Sequence, residues 1–580
     1  MRRLGAVLLF VGMASGLRGQ WAPVGRESVG GGWLPFGSAA EAMAGDAANS
    51  AYVQFSGGEW QVKALASAAG VEAAVKEDAG WTKSDGGAVK GAVVLLRGTF
   101  KRPFAWIDRE QLIRIEGADA PYEVYVGARR VGFNASPRVG ADFDVTKVAQ
   151  EGNNTLTLAL YTELAERSIS GVRGEACAPT RVCTFSQPVV RVRDILTSTA
   201  VTDGTGALSI GVILKSSLLG ARESEVYYEL LGPDGRMVDS GHKGATLRLR
   251  GEDTVRFTVT IPDVKTWGPA SPLLYTLQLR TQYEGRYGEH LALRVGFRSV
   301  AVADGALVLN GRPQPLHIEE MTPPADAASA ARLLMQARSR EANMIALRGY
   351  PATADFYTLC DMLGLMVCPQ AEIELPAAAP YAGPGNDPRL EPLFLDRVET
   401  MYNASKGHPS VVMFSIAGGA GNGNNLYNAY VALKRLEAAR PVAFVGAGGE
   451  WNSDAAADGS NGRIRFAPSS FSVGPASAPI DFTFDPATKR AAVRNNMSDR
   501  TVYRLGYRVY DRRKLIREGS FAVDIAPGRR VEVAPPVGKL KFKPSRHKLQ
   551  LSLFPEQTFA PGNGLLEKLI TAAPVWYDSI

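Results

Sequence analysis

The chain has 580 residues, of which 45% are hydrophobic, 21% charged and 8% aromatic. This is the composition of an ordinary globular protein, and it excludes a disordered, collagen-like or disulfide-scaffold chain. At roughly 100–200 residues per domain, the length predicts three to five domains. The net charge of +7 is small for this length and the basic residues are scattered, so we expect no nucleic-acid partner.

The first twenty residues have the pattern of a secretory signal peptide. Arg2 and Arg3 precede a mostly apolar stretch over residues 4–17 that is too short to span a bilayer. Cleavage is expected between Gly16 and Ala22, with an uncleaved anchor helix as the alternative. The rest of the sequence has no apolar run of 18 residues. We therefore expect no membrane span after cleavage, and a place in the periplasm or at the outer membrane or cell surface of a bacterium.

The four cysteines fall into two close pairs. Cys177 and Cys183 flank a short polar loop, and an oxidising compartment would favour a disulfide between them. For Cys360 and Cys368, two buried thiols are the simpler interpretation. No Cys-x-x-Cys or His-rich spacing indicates a zinc site, and we expect neither a metal nor another cofactor.

Two β regions come first along the chain. In residues 21–189 the stretch Thr155–Leu160 alternates leucines with smaller side chains, which is the pattern of a half-buried strand. In residues 190–300 the stretch Val255–Ile261 alternates apolar with polar residues, and the turn spacing is that of one β-sandwich domain.

From residue 301 to 465, strand-like and helix-like stretches alternate, and this alternation predicts a parallel sheet built of βαβ units. The predicted strands are Gln314–Glu319, Asn343–Leu347, Leu365–Pro369, Ser410–Ile416 and Pro441–Val445. The predicted helices are Ala327–Ala337, Ala354–Leu363, Leu390–Ala404 and Leu426–Ala438. A loop over Gly446–Gly462 follows, and β pattern returns in residues 466–580, which predicts a final sandwich.

The local residues of these segments resemble glycoside hydrolase family 2, the group of β-galactosidases, β-glucuronidases and β-mannosidases. The motifs that carry the resemblance are Ala141–Thr146, Glu151–Asn154, Pro272–Leu277, Gly296–Arg298, Leu309–Pro313, Phe356–Gly364, Gly407–Ser410 and Arg440–Val442. The resemblance covers roughly residues 90–450. It implies an N-terminal jelly-roll sandwich of the galactose-binding kind, an immunoglobulin-like sandwich, a (β/α)8 TIM-type barrel and a C-terminal immunoglobulin-like sandwich. Because a complete barrel takes at least about 200 residues, the barrel is predicted to be truncated, with an open edge that something must cover.

A retaining glycosidase needs two carboxyl groups, one as acid/base and one as nucleophile. The resemblance places the acid/base on the Glu of an Asn-Glu pair after the fourth strand, where this chain has Gly418 and Gly419. It places the nucleophile after a seventh strand, for which we find no matching segment. The single Glu between Glu437 and Glu518 is Glu450, which is interpreted as a solvated loop residue.

Other pocket positions also depart from the family pattern. Ala346 and Gly349 stand where the family carries an Arg and a His, and Thr322 stands near a further expected His. His408 matches a structural His-Pro-Ser turn, whereas His317 is interpreted as a packed core residue.

Five residues could remain in a residual pocket: Glu319, Glu320, Tyr350, Glu372 and Glu374. The four carboxylates are either a relocated acid/base pair or a remnant mixed with loop charges, and the second interpretation is favoured. Glu374 falls where some galactosidases bind Mg²⁺, but the other ligand positions are Pro376 and Gly419, so no metal site is expected. For Trp33, Trp60, Trp81 and Trp106, core packing is preferred to sugar stacking.

The sequence therefore predicts an exported family 2-like protein that does not hydrolyse glycosides and binds glycans or acts as a scaffold in the envelope. An active, divergent β-glycosidase of carbohydrate metabolism is the first alternative. An assembly subunit of an envelope protein complex is the second. The expected partner is a polysaccharide or an envelope protein.

Overall fold

The structure is a computed structural model of the chain. It describes residues 23–28, 32–56, 59–163, 169, 175–248, 250–285, 287–375, 383–419, 422–444, 453–456, 459, 463–470, 480–485, 488, 490–495, 501–512, 514–526, 528–534, 546–555 and 576–579. The predicted signal peptide and Glu450 lie outside these residues. Within them, no helix is long and apolar enough to cross a membrane.

The N-terminal domain is the predicted sandwich. Its elements are β1 (Arg26–Ser28), α1 (Ala39–Ala44), β2 (Val53–Phe55), β3 (Gln61–Leu65), α2 (Val71–Lys76), β4 (Thr82–Lys83), β5 (Val89–Lys90), β6 (Val93–Arg102), β7 (Glu110–Glu116), β8 (Tyr122–Val126), β9 (Arg129–Asn134), β10 (Ala141–Asp144), β11 (Gly152–Tyr161), β12 (Glu175–Ala176) and β13 (Arg181–Gln187). A five-stranded sheet (β1-β10-β7-β13-β2) and a six-stranded sheet (β4-β3-β6-β11-β8-β9) form it. The alternating leucines of β11 are fully buried between the sheets, as their period of two predicts.

The second domain is also a sandwich, as predicted. Its strands are β14 (Val190–Thr202), β15 (Thr205–Ser216), β16 (Arg222–Leu231), β17 (Met237–Leu247), β18 (Glu252–Ile261), β19 (Trp267–Gly268), β20 (Ser271–Pro272), β21 (Tyr275–Tyr283) and β22 (Tyr287–Val295). A three-stranded sheet (β14-β15-β18) packs against a four-stranded sheet (β17-β16-β21-β22). A small sheet of β23 (Val300–Ala303), β24 (Ala306–Leu309) and β25 (Arg312–Pro313) leads into the next domain.

The third domain contains the predicted βα units. Its elements are β26 (Ile318–Met321), α3 (Ala327–Ser339), β27 (Met344–Leu347), α4 (Ala354–Leu363), β28 (Met366–Cys368), β29 (Glu374–Leu375), α5 (Glu391–Ser405), β30 (Phe414–Ser415), β31 (Gly418–Gly419), α6 (Asn424–Leu436), β32 (Val442–Ala443), β33 (Ala455–Ala456), β34 (Ile464–Arg465) and β35 (Ser469–Ser470). Strands β26, β27 and β28 pair in parallel, parallel bridges join Val367 to Val411 and Gln370 to Ser415, and β30 pairs with β32. This is the TIM-type arrangement, and its apolar strands form the largest core of the molecule.

Short segments cover the two edges of this parallel sheet. At one edge, β35 pairs in parallel with β26, opposite Glu319 and Glu320. At the other edge, the N–H of Asp454 donates to the Val442 carbonyl at 2.8 Å, and the Val442 N–H donates to the Asp454 carboxylate at 2.8 Å. Ser469 and Ser470, which lie beyond the predicted boundary at residue 465, thus pair with the first strand of this sheet.

The last domain is a small β domain with its own core. Its strands are β36 (Ile480–Asp485), β37 (Arg490–Asn495), β38 (Thr501–Asp511), β39 (Lys514–Ile525), β40 (Arg530–Val533), β41 (His547–Pro555) and β42 (Trp576–Ser579). A three-stranded sheet (β36-β37-β40) and a four-stranded sheet (β39-β38-β41-β42) contribute buried side chains to one cluster, including Val493, Leu505 and Val523.

Candidate functional site

The residues that follow β28 and β30 form a second, short parallel ladder. Strand β29 pairs with β31, so that Glu374 lies opposite Gly418 and Leu375 lies opposite Gly419. The Gly418 N–H donates to the Ile373 carbonyl at 2.8 Å. In a TIM-type barrel the functional groups lie at the carboxyl ends of the strands. Here that region between the third and fourth strands is filled by backbone pairing.

Neither glycine of β31 leaves space for a side chain. A Cβ built on Gly419 would lie 2.0 Å from the Leu375 carbonyl oxygen, and the φ of Gly419 is +79°. A Cβ built on Gly418 would lie 2.3 Å from Oε1 of Glu374. Because L-residues avoid positive φ and no real contact is this short, the ladder requires glycine at residue 419 for two separate reasons.

Glu374 is half-buried and its carboxylate occupies the space next to Gly418. Its Oε1 accepts a hydrogen bond from Nε2 of Gln370 at 2.8 Å. The side chain is therefore held by its own segment.

Glu372 is buried, with 4% of its surface exposed. Burial raises the pKa of its carboxyl group, against the opposing effect of the positive charges of Arg397 and Arg138. The main-chain N–H of Arg138 donates a hydrogen bond to the Glu372 carboxyl group. The Oε2 atom of Glu372 is buried without a hydrogen-bond partner. Arg397 donates to the main-chain carbonyl of Glu372 at 2.6 Å. Glu372 is thus a carboxyl group that its surroundings favour in the neutral form.

The loop that contacts Glu372 belongs to the N-terminal sandwich. The guanidinium of Arg138 lies 4.9 Å from the centre of the Tyr350 ring and makes an ion pair with Asp119 at 2.5 Å. The hydroxyl of Tyr350 donates to the Pro323 carbonyl at 3.2 Å, and burial raises the pKa of Tyr350. The structure therefore brings Tyr350 and Glu372 together around Arg138. The sequence does not single out Arg138, because 234 positions separate it from Glu372 and no motif connects them.

The other two glutamates of the predicted residual pocket have separate partners. Glu319 makes a two-pronged ion pair with Arg340, at 2.9 and 2.8 Å. Glu320 pairs with Arg348 at 3.1 Å. Of the residual pocket, the structure brings Glu372, which follows β28, and Tyr350, which follows β27, together at Arg138. Glu374 is held by Gln370, and Glu319 and Glu320 are engaged along β26. Among the described side chains, no group of three or more His, Cys, Asp or Glu residues could hold a metal ion.

Three segments of the chain match models of known protein families. The family model for the sugar binding domain of glycosyl hydrolases family 2 matches residues 49–166. A second model, described as glycosyl hydrolases family 2, matches residues 190–298. The model for the family's TIM barrel domain matches residues 331–461. The three matches come in the family's domain order and together cover more than half of the chain.

The chain belongs to glycoside hydrolase family 2.

Relatives within the family are large enzymes. A β-galactosidase of Psychromonas ingrahamii is 26% identical over 375 residues, which are 61% of this chain and 36% of that protein. A β-galactosidase of Enterobacter cloacae is 28% identical over 374 residues, or 60% of this chain and 36% of that protein. The matched region thus spans about a third of the length of these relatives.

Solved structures of the family share the fold. A Bacteroides uniformis β-glucuronidase 2 superposes with a TM-score of 0.63 at 12% identity, over 87% of this chain and 79% of that chain. A putative β-galactosidase from Bacteroides fragilis superposes with a TM-score of 0.60 at 16% identity, over 70% of this chain and 66% of that chain. These similarities confirm the sandwich, immunoglobulin-like and TIM barrel domains.

The other positions compared with the family pattern lie on β27, on the turn that follows it, and near β26 and β30. Ala346 is buried in β27, and Gly349 has a φ of +88°. His408 lies outside the site, where its Nδ1 is 2.7 Å from the Asp361 carboxylate and Asp361 also accepts from the Ser410 N–H. His317 is exposed, not packed in the core, because it precedes β26 and its ring contacts the Glu341 carbonyl at 3.3 Å.

The predicted Cys177–Cys183 disulfide is not formed, and all four cysteines are free thiols. Cys183 lies within β13 and packs with Leu112 and Phe185. Cys177 follows β12, and its Sγ contacts the Asp119 carboxylate at 2.5 Å. The two thiols are directed to different surroundings, which is why nearness in sequence gave the wrong prediction.

The four tryptophans considered for sugar stacking pack against protein. Trp106 is buried and its indole N–H donates to the Ala51 carbonyl at 3.2 Å. Trp33 and Trp60 are partly buried against the cores of the two sandwiches, and the ring of Trp81 is covered by Arg97 at 3.9 Å. These contacts fit the preferred packing interpretation.

Proposed function

We propose that this family 2 protein does not hydrolyse glycosides and serves as a glycan-binding or scaffolding protein. The observation that carries the proposal is the pairing of β29 with β31. Family resemblance puts the proton donor at Gly419, and there the backbone of Leu375 approaches to within 2.0 Å of where a Cβ would be. Hydrolysis of a glycoside needs a proton donor at the leaving oxygen.

The segment expected to carry the nucleophile supports the same proposal. Between β32 and β36, the described residues contain three two-residue strands and no helix. Glu450 is the single glutamate from residue 438 to 517. A carboxylate across the sugar ring from the acid/base is the second requirement of hydrolysis, and the sequence offers few candidates for it.

Export to the bacterial envelope is part of the proposal. The support is the pattern of Arg2 and Arg3 before the short apolar stretch over residues 4–17. A polysaccharide of the envelope would then be within reach of the folded protein. Sequencing the N-terminus of protein purified from envelope or medium tests this, and an intact Met1 would contradict it.

One observation favours the alternative of an active β-glycosidase with a relocated acid. Glu372 is buried and its pKa is raised, and a raised carboxyl pKa is the direction of shift that general acid catalysis requires. The charge of Arg138 and the backbone of the sandwich loop lie against it. A substrate would therefore need to reach Glu372 past this loop.

The two functions separate in one assay. The purified chain is incubated with aryl β-galactosides, β-glucuronides, β-mannosides and β-glucosides, in parallel with Glu372→Gln and with Glu59→Gln, a control at an exposed glutamate. We expect the same background rate for all three proteins. Turnover well above buffer that falls by 10²-fold or more in Glu372→Gln, but not in Glu59→Gln, would establish the active alternative.

A second measurement addresses the proposed role itself. The exported protein is used as bait in a pull-down from its native envelope, and the captured material is analysed for both carbohydrate and protein. A captured polysaccharide supports glycan binding. A stoichiometric protein complex without carbohydrate would contradict it and favour an assembly subunit.

A further inference from the structure

A crevice of about 560 Å³ lies between the second sandwich and the barrel. Strand β14 and the strand-connecting stretch after β22 form one wall, and the carboxyl-terminal ends of α5 and α6 form the other. In a βα barrel these helix ends lie at the amino-terminal face of the strands, opposite the face that carries the family's chemistry. The crevice is therefore separate from the candidate site around Glu372 and Gly419.

The charged side chains that line this crevice are mainly basic. They include Arg256, Arg298, Lys406 and Arg440, and a single carboxylate, that of Glu437. Two of the cations are already paired. Arg440 contacts Glu437 at 2.7 Å and Lys406 contacts Asp194 at 2.6 Å.

The other two cations have no carboxylate partner among the described residues. Arg298 donates through Nε to the Pro409 carbonyl at 2.5 Å and through Nη2 to the Val411 carbonyl at 2.8 Å, which uses neutral acceptors. Burial and the nearby positive charge of Arg440 lower the pKa of Arg298 to about 9. Arg256 is exposed on the wall of the same crevice. The nearby carboxylates of Asp361 and Glu437 offset part of this positive charge, and the remaining surplus favours the binding of an anion.

Neutral hydrogen-bonding groups lie beside these cations. Ser198 and Ser209 are opposite one another on β14 and β15, and both are exposed in the crevice. The position of Arg256 on β18 is opposite Gly211, which places it on the same outer face as the two serines. Hydroxyls next to guanidinium groups suit a ligand that has both hydroxyl groups and a negative charge.

We propose that this crevice binds an acidic saccharide of one or two sugar rings, with its carboxylate at Arg298 and Arg256 and its ring hydroxyls at Ser198 and Ser209. The volume lies within the range of small-molecule sites, about 300–1,000 Å³, and exceeds what a simple inorganic anion fills. Guanidinium groups favour carboxylates as partners because their planar fork matches the two oxygens. The Nε and Nη2 of Arg298 already donate to the carbonyls of His408, Pro409 and Val411, so Arg256 provides the fork and Arg298 contributes through Nη1. Binding here is independent of whether the barrel hydrolyses glycosides.

Calorimetric titration of the whole chain tests this site. The probes are D-glucuronate, D-glucose as the uncharged match, and inorganic sulfate as the free anion. The variants are Arg256→Ala, which removes an exposed cation, Ser198→Trp, which fills the crevice, and Arg236→Ala, a control on an exposed arginine of the same domain with 89% of its side chain accessible. Unfolding temperatures confirm that each variant is folded.

We expect glucuronate to bind and glucose to bind at least tenfold more weakly. Arg256→Ala and Ser198→Trp should each weaken glucuronate binding about tenfold or more, Arg236→Ala should leave it unchanged, and added salt should weaken it. Absence of glucuronate binding, equal affinity for glucose and glucuronate, sulfate binding as tight as glucuronate, or full affinity in Arg256→Ala would each overturn the proposal.

Discussion

Gly419 is the residue at which local backbone geometry bears most directly on chemistry. Its positive φ and its closeness to Leu375 are both consequences of the β29–β31 ladder. The sequence indicated that a proton donor was missing from this position. It could not indicate that the backbone of Leu375 occupies the space next to residue 419, because that depends on a pairing between segments 44 residues apart.

Substituting Gly419 should therefore destabilise the protein and leave it inactive. We expect Gly419→Glu to show no glycosidase activity in the aryl glycoside assay. Gly419→Ala should cost about 2 kcal/mol or more, from positive φ and from overlap with the Leu375 carbonyl. Gly127→Ala is the matched control, since Gly127 has a φ of +56° with nothing within 4 Å of its Cβ position, and it should cost about 1 kcal/mol. Equal losses in urea unfolding would contradict the overlap.

Glu372 gives a prediction about pH. Its pKa in the folded protein is raised above 4.5 by burial, so the folded state holds the proton more tightly than the unfolded chain. Stability therefore falls as pH rises from about 4.5 through the folded pKa, and the full cost is present above it. Glu372→Gln should increase the free energy of unfolding at pH 7 by about 1 kcal/mol or more, which is measured as a higher unfolding temperature. This gain in stability should vanish below pH 4.5. A gain that grows on acidification would contradict this.

At the scale of elements, the helices of the barrel could be predicted closely and the strands less so. Helix α4 has the predicted bounds, and Gly364 ends it with a φ of 70°. Four of the five strands were predicted as longer runs around the observed ones, for example Ser410–Ile416 against β30, whereas β26 ends two residues beyond the predicted Gln314–Glu319. Helices carry their own end signals in caps and glycines. The ends of a strand depend on where its neighbouring strands stop pairing with it, and a single sequence does not reveal that pairing.

Helix α3 shows how such an end signal contributes to stability. Asp326 is its N-cap, and its carboxylate accepts from the Ser329 N–H and hydroxyl, each at 2.8 Å. These hydrogen bonds lower the pKa of Asp326. The contribution is present above the unfolded pKa of 3.8 and is lost as pH falls through the lower folded pKa. Asp326→Ala should cost about 1 kcal/mol at pH 7, while Asp326→Asn should keep most of the cap. Equal losses in the two variants would contradict capping.

At the scale of the whole molecule, composition and pattern could predict the order of the four domains but not how they contact each other. The loop of the first sandwich that carries Ser136 and Arg138 packs on the barrel through polar side chains. Ser136 donates to the Asp396 carboxylate at 2.6 Å, and Arg26 makes an ion pair with the same carboxylate. Such contacts join residues about 260–370 positions apart, and no periodicity in the sequence records them.

Asp396 should therefore be important for holding the two domains together. Its removal leaves the buried guanidinium of Arg26 without its partner, which typically costs about 3–5 kcal/mol. We expect Asp396→Ala to lower the unfolding temperature and to speed proteolytic separation of the first sandwich from the barrel. Asp387→Ala is the control, since that carboxylate pairs with Arg389 in an exposed turn and should cost less than about 1 kcal/mol. If both variants are cleaved at the same rate, Asp396 does not join the domains.

The pairing of β35 with β26 has a consequence for the time course of folding. It joins Glu319 to Ser469, which is synthesised 150 residues later. Contacts between such distant positions form slowly, because a long loop must close first. While the chain is being made, the three parallel strands β26 to β28 therefore have an unpaired edge at β26, which Ser469 and Ser470 cover in the folded protein. A nascent chain is exposed to aggregation during this interval, and a binding factor that keeps it unfolded until synthesis has passed residue 470 would improve its yield.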